Sequence, residues 1–455
     1  MVHSTEVMRG TVGDVVARIE RMPISRWHLK ARFIVGIATL FDGFDNLAIA
    51  YVLPVLAPQW HLSAPQIGLL LSASLFGQLL AALFFGWWAE RIGRKNALIW
   101  SILIYSLLGF ACAFAWDYKS LLVLRTLQGF GIGGEVPVAM TYIAELSRSH
   151  GRGRFVLLYE LVFPAGLLIA SIVGAWVVPQ IGWRWLFVIG ALPALLVFAL
   201  ARLPESPRWL ATKGRHAEAD FALTRIEQEI ERSTGQTLPD PKPVALTQER
   251  SDPLSDLFGP KYLCRTLTSW TIWSACYFCT YGLLVWLPSI YKNVFHLSVG
   301  DALIYTIATQ AVGLLGSLAC ALSIDLTMRR TAFAVAFLGA AASFFWIWFV
   351  DPTSATTLLF GGSIANFFVA YVAIGVYLYT PEIYPTRSRA IGLSASAFWA
   401  RVAGFIGPNL IGASIVSLGL GSVFLGFAIA TALAAVVAWR FVSETRFRML
   451  EEVSP

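Results

Sequence analysis

Two acidic residues lie inside a long apolar stretch near the start of the chain, where water is scarce. Asp42 and Asp45 fall within residues 33–56, three positions apart, so a helix presents them on one face with Asn46 one turn from Asp42. An ionisable side chain at membrane depth is costly and by default marks an ion or substrate pathway. The pattern therefore predicts ion or substrate binding. The alternative is a pair neutralised by a neighbouring cation for packing alone.

An arginine lies at similar depth in the second part of the chain. Arg401 is ten residues into the apolar stretch 391–416. A guanidinium there needs an anion, and its planar fork fits a carboxylate in a bidentate way that Lys cannot reproduce. We predict that Arg401 holds a substrate carboxylate. The alternative is a fixed salt bridge to an aspartate of residues 33–56, and both can hold at different stages of a cycle.

Another arginine and a glutamate share the stretch 121–145. Arg125 and Glu135 are ten residues apart, nearly three helical turns, and so lie roughly on one face. Arg125 could neutralise Asp42 or Asp45 when a proton leaves. Two neighbouring carboxylates titrate as a pair, so the proton is not assigned to one of them, although Asp45 is marginally favoured as nearer the midplane. A purely structural network is the alternative.

Aromatic residues crowd two later stretches, and three of them form a stripe. Trp273, Tyr277 and Tyr281 recur at four-residue spacing and would share one helical face. Such a face can hold a flat ring by offset stacking, although any single ring could equally be core or interfacial packing. The amides available for a polyol are few, namely Asn46, Gln78, Gln310 and Asn366. This balance favours an aromatic ligand over a hexose.

The composition is that of a polytopic membrane protein. Of the 455 residues, 57% are hydrophobic and 13% charged, whereas soluble domains carry about 25% charged residues. The net charge of +7 needs no nucleic acid, because Lys and Arg gather in loops on one side, which predicts that both termini are cytoplasmic. We predict no enzyme, cofactor or metal site, since no catalytic constellation or metal-ligand spacing appears in the polar segments.

We predict an all-α membrane protein with twelve transmembrane helices, at about twenty apolar residues per crossing. A polar insert with amphipathic helices, one near His216 to Arg232, separates the first six from the last six. The predicted parts are an N-terminal cytoplasmic segment (1–32), a six-helix bundle (33–203), a cytoplasmic linker (204–262), a second bundle (263–442) and a tail (443–455). The predicted spans are 33–56, 66–88, 97–116, 121–145, 155–179, 185–203, 265–290, 299–322, 331–350, 357–380, 391–416 and 421–442.

The two halves carry matching charged motifs. Glu90 and Asp325 each precede a basic pair, Glu145 and Glu382 each lie seven residues before an arginine, and Glu205 matches Glu444. The separations are 235, 237 and 239 residues. A parallel repeat of six spans predicts a central site near the midplane, between two halves that rock about it.

The same charged residues are expected to act in gating. We predict that they form a network at the cytoplasmic helix ends, which closes the inner side in the outward-open state and breaks on rocking. The residues are Glu90, Arg91, Arg94, Glu145, Arg152, Asp325, Arg329, Glu382 and Arg389.

These motifs resemble those of the major facilitator superfamily over nearly the whole chain. Gly86 to Lys95 looks like its loop signature, with Glu90 where Asp is usual, and Leu124 to Gly131 resembles its span 4 motif, in which a buried Arg is associated with proton coupling. Pro204 to Arg208 and the segment from Glu444 look like sugar-porter signatures. The resemblance implies two pseudo-symmetric six-helix halves and alternating access.

A finer resemblance concerns the predicted site. Asp42-Gly43-Phe44-Asp45 is similar to an element of aromatic-acid:proton symporters and bacterial niacin transporters. The stretches around Gly129 to Pro137, Trp273 to Trp286 and Arg401 also look like those of niacin transporters and the animal synaptic vesicle glycoprotein 2 group. In that group the positions matching Trp176, Trp273, Tyr281 and Tyr377 lie in the ligand cavity, although the last is acidic in one relative. Trp176 would then face the stripe as a second wall.

Together the residues and the resemblance predict a proton-coupled importer of a small aromatic or heteroaromatic monocarboxylate. The resemblance supplies nicotinate as the best single substrate. It also implies a monomer in the bacterial inner membrane, driven by the proton gradient. The alternatives are a symporter of benzoate-type acids, then a sugar transporter or drug antiporter, and a transporter-like protein that binds a ligand without moving it.

Overall fold

The computed structural model describes residues 11–23, 25–147, 160–241, 257–324, 326–350, 354–384 and 388–445. Throughout these ranges the chain forms helices joined by turns and short connections, and they contain no strand. Eleven of the helical segments are long and apolar enough to cross a membrane. The prediction of a multi-pass, all-helical membrane protein is therefore confirmed.

The first half of the chain folds into helices that follow the predicted spans. A short helix α1 precedes the long α2, and a 3-10 turn at Leu192–Leu195, which contains Pro193, divides the sixth span into α7 and α8. The helices are α1 (Val12–Glu20), α2 (Arg26–Gln59), α3 (Ala64–Ile92), α4 (Arg94–Cys112), α5 (Tyr118–Glu145), α6 (Val162–Gln180), α7 (Arg184–Gly190) and α8 (Leu196–Ala201).

The linker and the second half follow the same order. The predicted amphipathic linker helix is present as α10, with a shorter helix before it. The helices are α9 (Pro207–Thr212), α10 (His216–Thr234), α11 (Leu263–Asn293), α12 (Val299–Ser323), α13 (Arg329–Val350), α14 (Ala355–Glu382), α15 (Arg389–Leu418) and α16 (Leu420–Phe441).

Helix α5 corresponds to predicted span 4 but is not among the eleven apolar segments. At 28 residues it is long enough to cross. It is less apolar because Arg125, Gln128 and Glu135 lie along it, all of them buried against other helices. Protein contacts, not lipid, therefore surround the polar part of this helix.

The helix packing repeats between the halves. In the first half α3 packs on α5 and α2 on α6, and in the second half α12 packs on α14 and α11 on α15. The halves meet through α3 with α15, α6 with α12 and α2 with α11. The repeat exchanges the α3–α15 pair with the α6–α12 pair and pairs α2 with its own equivalent α11, so the predicted six-span repeat is confirmed.

An ion-pair network joins the helix ends of the first half. Arg94 donates to Glu90 at 2.6 Å and to Glu145 at 3.1 Å, and Glu145 also accepts from Ser206. The backbone N–H of Lys95 donates to a carboxylate oxygen of Glu205 at 2.9 Å. Gly93, which precedes α4, has φ +100°, a conformation that favours glycine, and Glu205 packs where a β-carbon would lie.

The second half repeats this arrangement. Arg329 contacts Glu382 at 3.4 Å, Glu382 accepts from Thr445 at 2.6 Å, and the Arg329 N–H donates to Glu444 at 3.2 Å. In the described residues each of these bonds stays within one half. The predicted network between the halves in the outward-open state stays a prediction, since Arg152 and Asp325 lie outside the described residues. Arg91 stacks on Trp87 at 4.1 Å, and Arg389 starts α15.

The halves are held together at the opposite end from these charges. Asn409 donates to Ser72 at 2.8 Å, and the rings of Phe76 and Phe405 are 5.6 Å apart. The Pro408 carbonyl lies against Gly68, where a β-carbon would approach it to 2.8 Å. This end of the bundle, remote from the linker, is therefore sealed by contacts between α3 and α15.

Helix α1 packs on the linker. Arg18 bonds Asp220 and Glu227, both at 2.5 Å, and Arg21 bonds Glu227 at 2.6 Å. Burial raises the pKa of Glu227, but the hydrogen bonds from Arg18 and Arg21 outweigh it, so the pKa lies below its ordinary value. The N-terminal segment and the linker, predicted as separate pieces, thus form one packed unit.

Candidate functional site

A cavity lies between the halves near the middle of the long helices. Its volume is about 100 Å³, on the scale of cavities that hold one aromatic ring. Helices α2, α3, α5 and α6 supply one side and α11, α14 and α15 the other. The polar and aromatic lining consists of Thr39, Asp42, Asn46, Gln78, Glu160, Phe163, Trp273, Tyr277, Thr280, Tyr281, Tyr377 and Arg401.

Two glycines allow α2 and α6 to approach closely beside the cavity. A β-carbon on Gly43 would meet the carbonyl of Phe163, and one on Gly166 would meet the carbonyl of Leu40. Larger side chains at either position would push the helices apart. This contact fixes the position of Asp42, the neighbour of Gly43, in the cavity wall.

Asp42 faces the cavity and is connected by hydrogen bonds to two side-chain amides in series. It is 3% exposed, and one of its carboxylate oxygens accepts from the side-chain amide of Asn46 at 2.6 Å. The Asn46 carbonyl oxygen accepts in turn from Gln78 at 3.0 Å. The predicted placement of Asn46 one turn from Asp42 is confirmed.

Asp45 points away from the cavity, toward α5. It is 0% exposed, its Oδ2 lies 3.5 Å from a guanidinium nitrogen of Arg125, and the same oxygen accepts from Gln128. Arg125 also donates to Gln128 at 2.8 Å and to the Asp45 carbonyl at 3.2 Å. Asp42 and Asp45 are neighbours on α2 as predicted, but of the two only Asp42 lines the cavity.

Glu135 is separate from Arg125. It is fully buried and accepts from Thr39 at 3.0 Å, while its second oxygen has no hydrogen-bond partner within the described ranges. No described cation lies within 4 Å of it. Of the alternative structural network of Arg125, Glu135 and an aspartate, the described residues contain the Arg125–Asp45 contact, whereas Glu135 bonds Thr39 instead.

Arg401 is the only cation among the described residues that line the cavity. One Nη donates to the carbonyl of Ala397 at 3.2 Å, and its Nε is buried without a hydrogen-bond partner. Arg401 interacts electrostatically with Asp42, yet no described carboxylate lies within 4 Å of it. The predicted fixed salt bridge is absent here, and the guanidinium keeps unused donors beside the cavity.

The aromatic stripe on α11 is present as predicted. The rings of Trp273 and Tyr277 stack at 5.5 Å with 14° between their planes, and Tyr281 follows 5.8 Å from Tyr277. Tyr377 meets the edge of Trp273 at 4.7 Å, and its hydroxyl lies 3.0 Å from that of Tyr277. These four rings form one continuous aromatic wall.

Three predicted site residues lie elsewhere. Trp176 is 66% exposed and shares the outward face of α6 with Ile169 and Ile172, so its predicted role as a facing wall is wrong in this structure. Asn366 donates to the Thr309 carbonyl at 2.9 Å between α14 and α12. Gln310 interacts with Tyr51 between the halves. Both amides hold helices together and do not line the cavity.

Two functional candidates escaped the sequence analysis. Gln128 bonds both Asp45 and Arg125, and its position three residues after Arg125 was the available signal. Glu160 lines the cavity and is 5% exposed, just before α6. No three metal-ligating side chains converge among the described residues; the absence of cofactors stays a prediction.

A bundle of two equivalent halves around a buried polar and aromatic cavity defines the class of membrane transport proteins. Residues 35–408 match the family model of the Major Facilitator Superfamily. The chain belongs to that superfamily. It is therefore a transporter and not an enzyme, as the sequence motifs predicted.

Two characterised relatives cover nearly the same length. The niacin transporter NiaP of Acinetobacter baylyi is 33% identical over 97% of this chain and 99% of its own. The gallate transporter of Pseudomonas putida is 29% identical over 90% of each chain. Among solved structures, a D-xylose-proton symporter superimposes with a TM-score of 0.73 at 21% identity, covering 92% of this chain and 99% of its own. That likeness concerns the fold.

Proposed function

We propose that this transporter imports a small aromatic or heteroaromatic monocarboxylate, nicotinate first among them, together with protons. The observation that carries this proposal is Arg401. It is the sole cation on the described cavity wall, and its Nε has no hydrogen-bond partner in the described part of the chain. A substrate carboxylate would take the donors of this guanidinium in a bidentate contact.

The aromatic wall supports a flat substrate. Trp273, Tyr277, Tyr281 and Tyr377 offer ring faces and edges within one cavity beside Arg401. Offset stacking on such rings contributes about 0.5–1.5 kcal/mol beyond area burial. The volume of about 100 Å³ suits one ring.

The balance of charges supports proton coupling. Asp42, Glu135 and Glu160 are buried at or behind the cavity, and no described cation lies within 4 Å of any of them. Three ionised carboxylates beside the single guanidinium of Arg401 would be far too costly at membrane depth. Protons therefore occupy some of these groups, and their release upon a conformational change couples transport to the proton gradient without a cofactor.

The named relatives support nicotinate and keep a close alternative. The Acinetobacter baylyi relative is named a niacin transporter, whereas the Pseudomonas putida relative is named for gallate, a hydroxylated benzoate. A benzoate-type acid:proton symporter is thus the second candidate. A sugar is less suited, because the described lining contains only two amides, Asn46 and Gln78.

The closed α3–α15 end indicates to which side of the membrane the cavity faces. The basic residues indicate that the ion-pair networks at the helix ends and the linker lie on the cytoplasmic side. The closed α3–α15 contact then lies on the outer side. The state is then inward-facing, in a monomer of the bacterial inner membrane whose halves, 33–203 and 263–442, rock about the cavity.

The test is uptake of radiolabelled nicotinate into proteoliposomes with and without an inward proton gradient. We expect gradient-driven accumulation by the wild type, none by Arg401→Ala, and little by Arg401→Lys, because Lys cannot form the bidentate contact. Arg215→Ala, on the exposed linker, is the matched control and should transport normally. Saturation at one ligand per protein without accumulation would show a binding protein instead, and benzoate accumulation without nicotinate would favour the second candidate.

A further inference from the structure

Glu160 is a buried carboxyl group on the cavity wall, and the proposed substrate contacts do not yet include it. It is 5% exposed, lines the cavity, and its Oε1 has no hydrogen-bond partner among the residues that the structure describes. No hydrogen bond or ion pair to any described residue satisfies its other oxygen. A buried acid left in this state is costly unless something in the cavity bonds it.

Glu160 and Arg401 line the cavity from opposite halves of the bundle. Glu160 lies just before α6 in the first half, and Arg401 lies on α15 in the second half. Tyr377, in the aromatic wall, interacts electrostatically with both of them. Glu135 also interacts with Glu160. The cavity thus offers a cation on one half and this acid on the other, together with the aromatic wall.

We propose that Glu160 is a specificity-determining residue that hydrogen-bonds a polar atom on the ring of the substrate. This inference rests on the proposed function, in which Arg401 takes the carboxylate and the aromatic wall takes the ring. A protonated Glu160 donates to a ring nitrogen, and an ionised Glu160 accepts from a ring hydroxyl. An unsubstituted ring leaves the buried acid unpaired, so the cavity rejects benzoate relative to acids with a polar ring atom.

The test is calorimetric binding of three ligands that differ at one ring position: nicotinate, 3-hydroxybenzoate and benzoate. We expect the wild-type protein to bind the first two at least about tenfold more tightly than benzoate, within the range for a buried group left unpaired. Glu160→Met should bring the three affinities within about twofold while benzoate binds as well or better. Glu160→Gln should keep most of the preference, since an amide both donates and accepts. Glu218→Met, on the exposed face of α10, is the control for the substitution itself.

The outcomes separate this inference from the proposed function. Equal binding of benzoate and nicotinate by the wild-type protein would overturn the inference alone, and this comparison needs no variant that must fold. A uniform loss of affinity for all three ligands in Glu160→Met would also overturn the inference, because such a loss indicates a structural role. If the wild-type protein bound none of the three, the proposed function would fail and the inference with it.

Discussion

The two aspartates of α2 have different surroundings, and we expect them to have different roles. Asp42 lies in the cavity wall with an amide for a partner, whereas Asp45 is enclosed with Arg125 and Gln128. A carboxylate that faces the cavity can exchange protons with it, while Asp45 is enclosed between α2 and α5 and does not line the cavity. Asp42 is therefore the better candidate for the transported proton than Asp45, the marginal choice from the sequence.

Replacing these aspartates should affect different properties. Asp45→Asn leaves the Arg125 charge buried without a counter-ion, so we expect a loss of about 3 kcal/mol of stability. Asp42→Asn removes no ion pair and should fold normally but lose gradient-driven accumulation while retaining exchange. Thermal unfolding in detergent and counterflow in proteoliposomes measure the two effects.

A double variant provides the internal check. Asp45→Asn with Arg125→Gln removes both charges and should recover much of the lost stability, because no unpaired ion remains. If the double variant were less stable than Asp45→Asn alone, the ion pair would not be the cause. Equal thermal stability of Asp42→Asn and Asp45→Asn would also contradict the assignment.

At the scale of helices, the sequence predicted what depends on local patterns. The aromatic stripe on α11 and the Asp42–Asn46 contact follow from helical spacing alone, and the structure contains both. The side of α6 that carries Trp176 depends instead on how α6 rotates against α2, where Gly43 and Gly166 interlock. No local pattern signals Glu160 either, since it lies just before α6 and lines the cavity only when the helices have packed together.

The contact between α1 and α10 should depend on pH. The pKa of Glu227 is lowered on folding by Arg18 and Arg21, so ionised Glu227 stabilises the contact above the ordinary glutamate pKa of about 4.3. The stability is lost as the pH falls through the lower, folded pKa. We expect the protection factors of the α1 amides, which correct for the intrinsic pH dependence of exchange, to be high at pH 6 and to fall progressively in acid below pH 4.

The variant Glu227→Gln isolates this effect. It should weaken the protection of α1 at pH 6 and abolish its acid dependence, while Glu229→Gln, in a largely exposed 3.7 Å pair with Lys30, should change little. Acid-dependent exchange that persisted in Glu227→Gln would place the titrating group elsewhere.

At the scale of the molecule, the sealed contact between α3 and α15 must open during transport. Cysteines introduced at Ser72 and Asn409, whose side chains meet at 2.8 Å, should react with a short bifunctional thiol reagent. We expect the cross-link to abolish uptake, because the outer side cannot open, and reduction to restore it. The background is Cys264→Ser, since Cys264 is the exposed native cysteine.

Each single-cysteine variant treated in the same way serves as the control and should retain uptake. Binding of nicotinate should survive cross-linking in detergent, where the cavity is reached from the linker side. Uptake unaffected by a complete cross-link would show that the α3–α15 contact does not separate in the cycle.

The ion-pair networks of the two halves have a further consequence for how the molecule is assembled. Tyr142 donates to the Pro204 carbonyl at 2.6 Å, and the equivalent Tyr379 accepts from the Ser443 N–H at 3.0 Å, so each half ties its fourth and sixth spans together with its own residues. Neither half borrows from the other for this purpose. Two separately translated polypeptides divided within the linker would each carry a complete set of ties, and could insert into the bilayer as independent modules before they associate around the cavity.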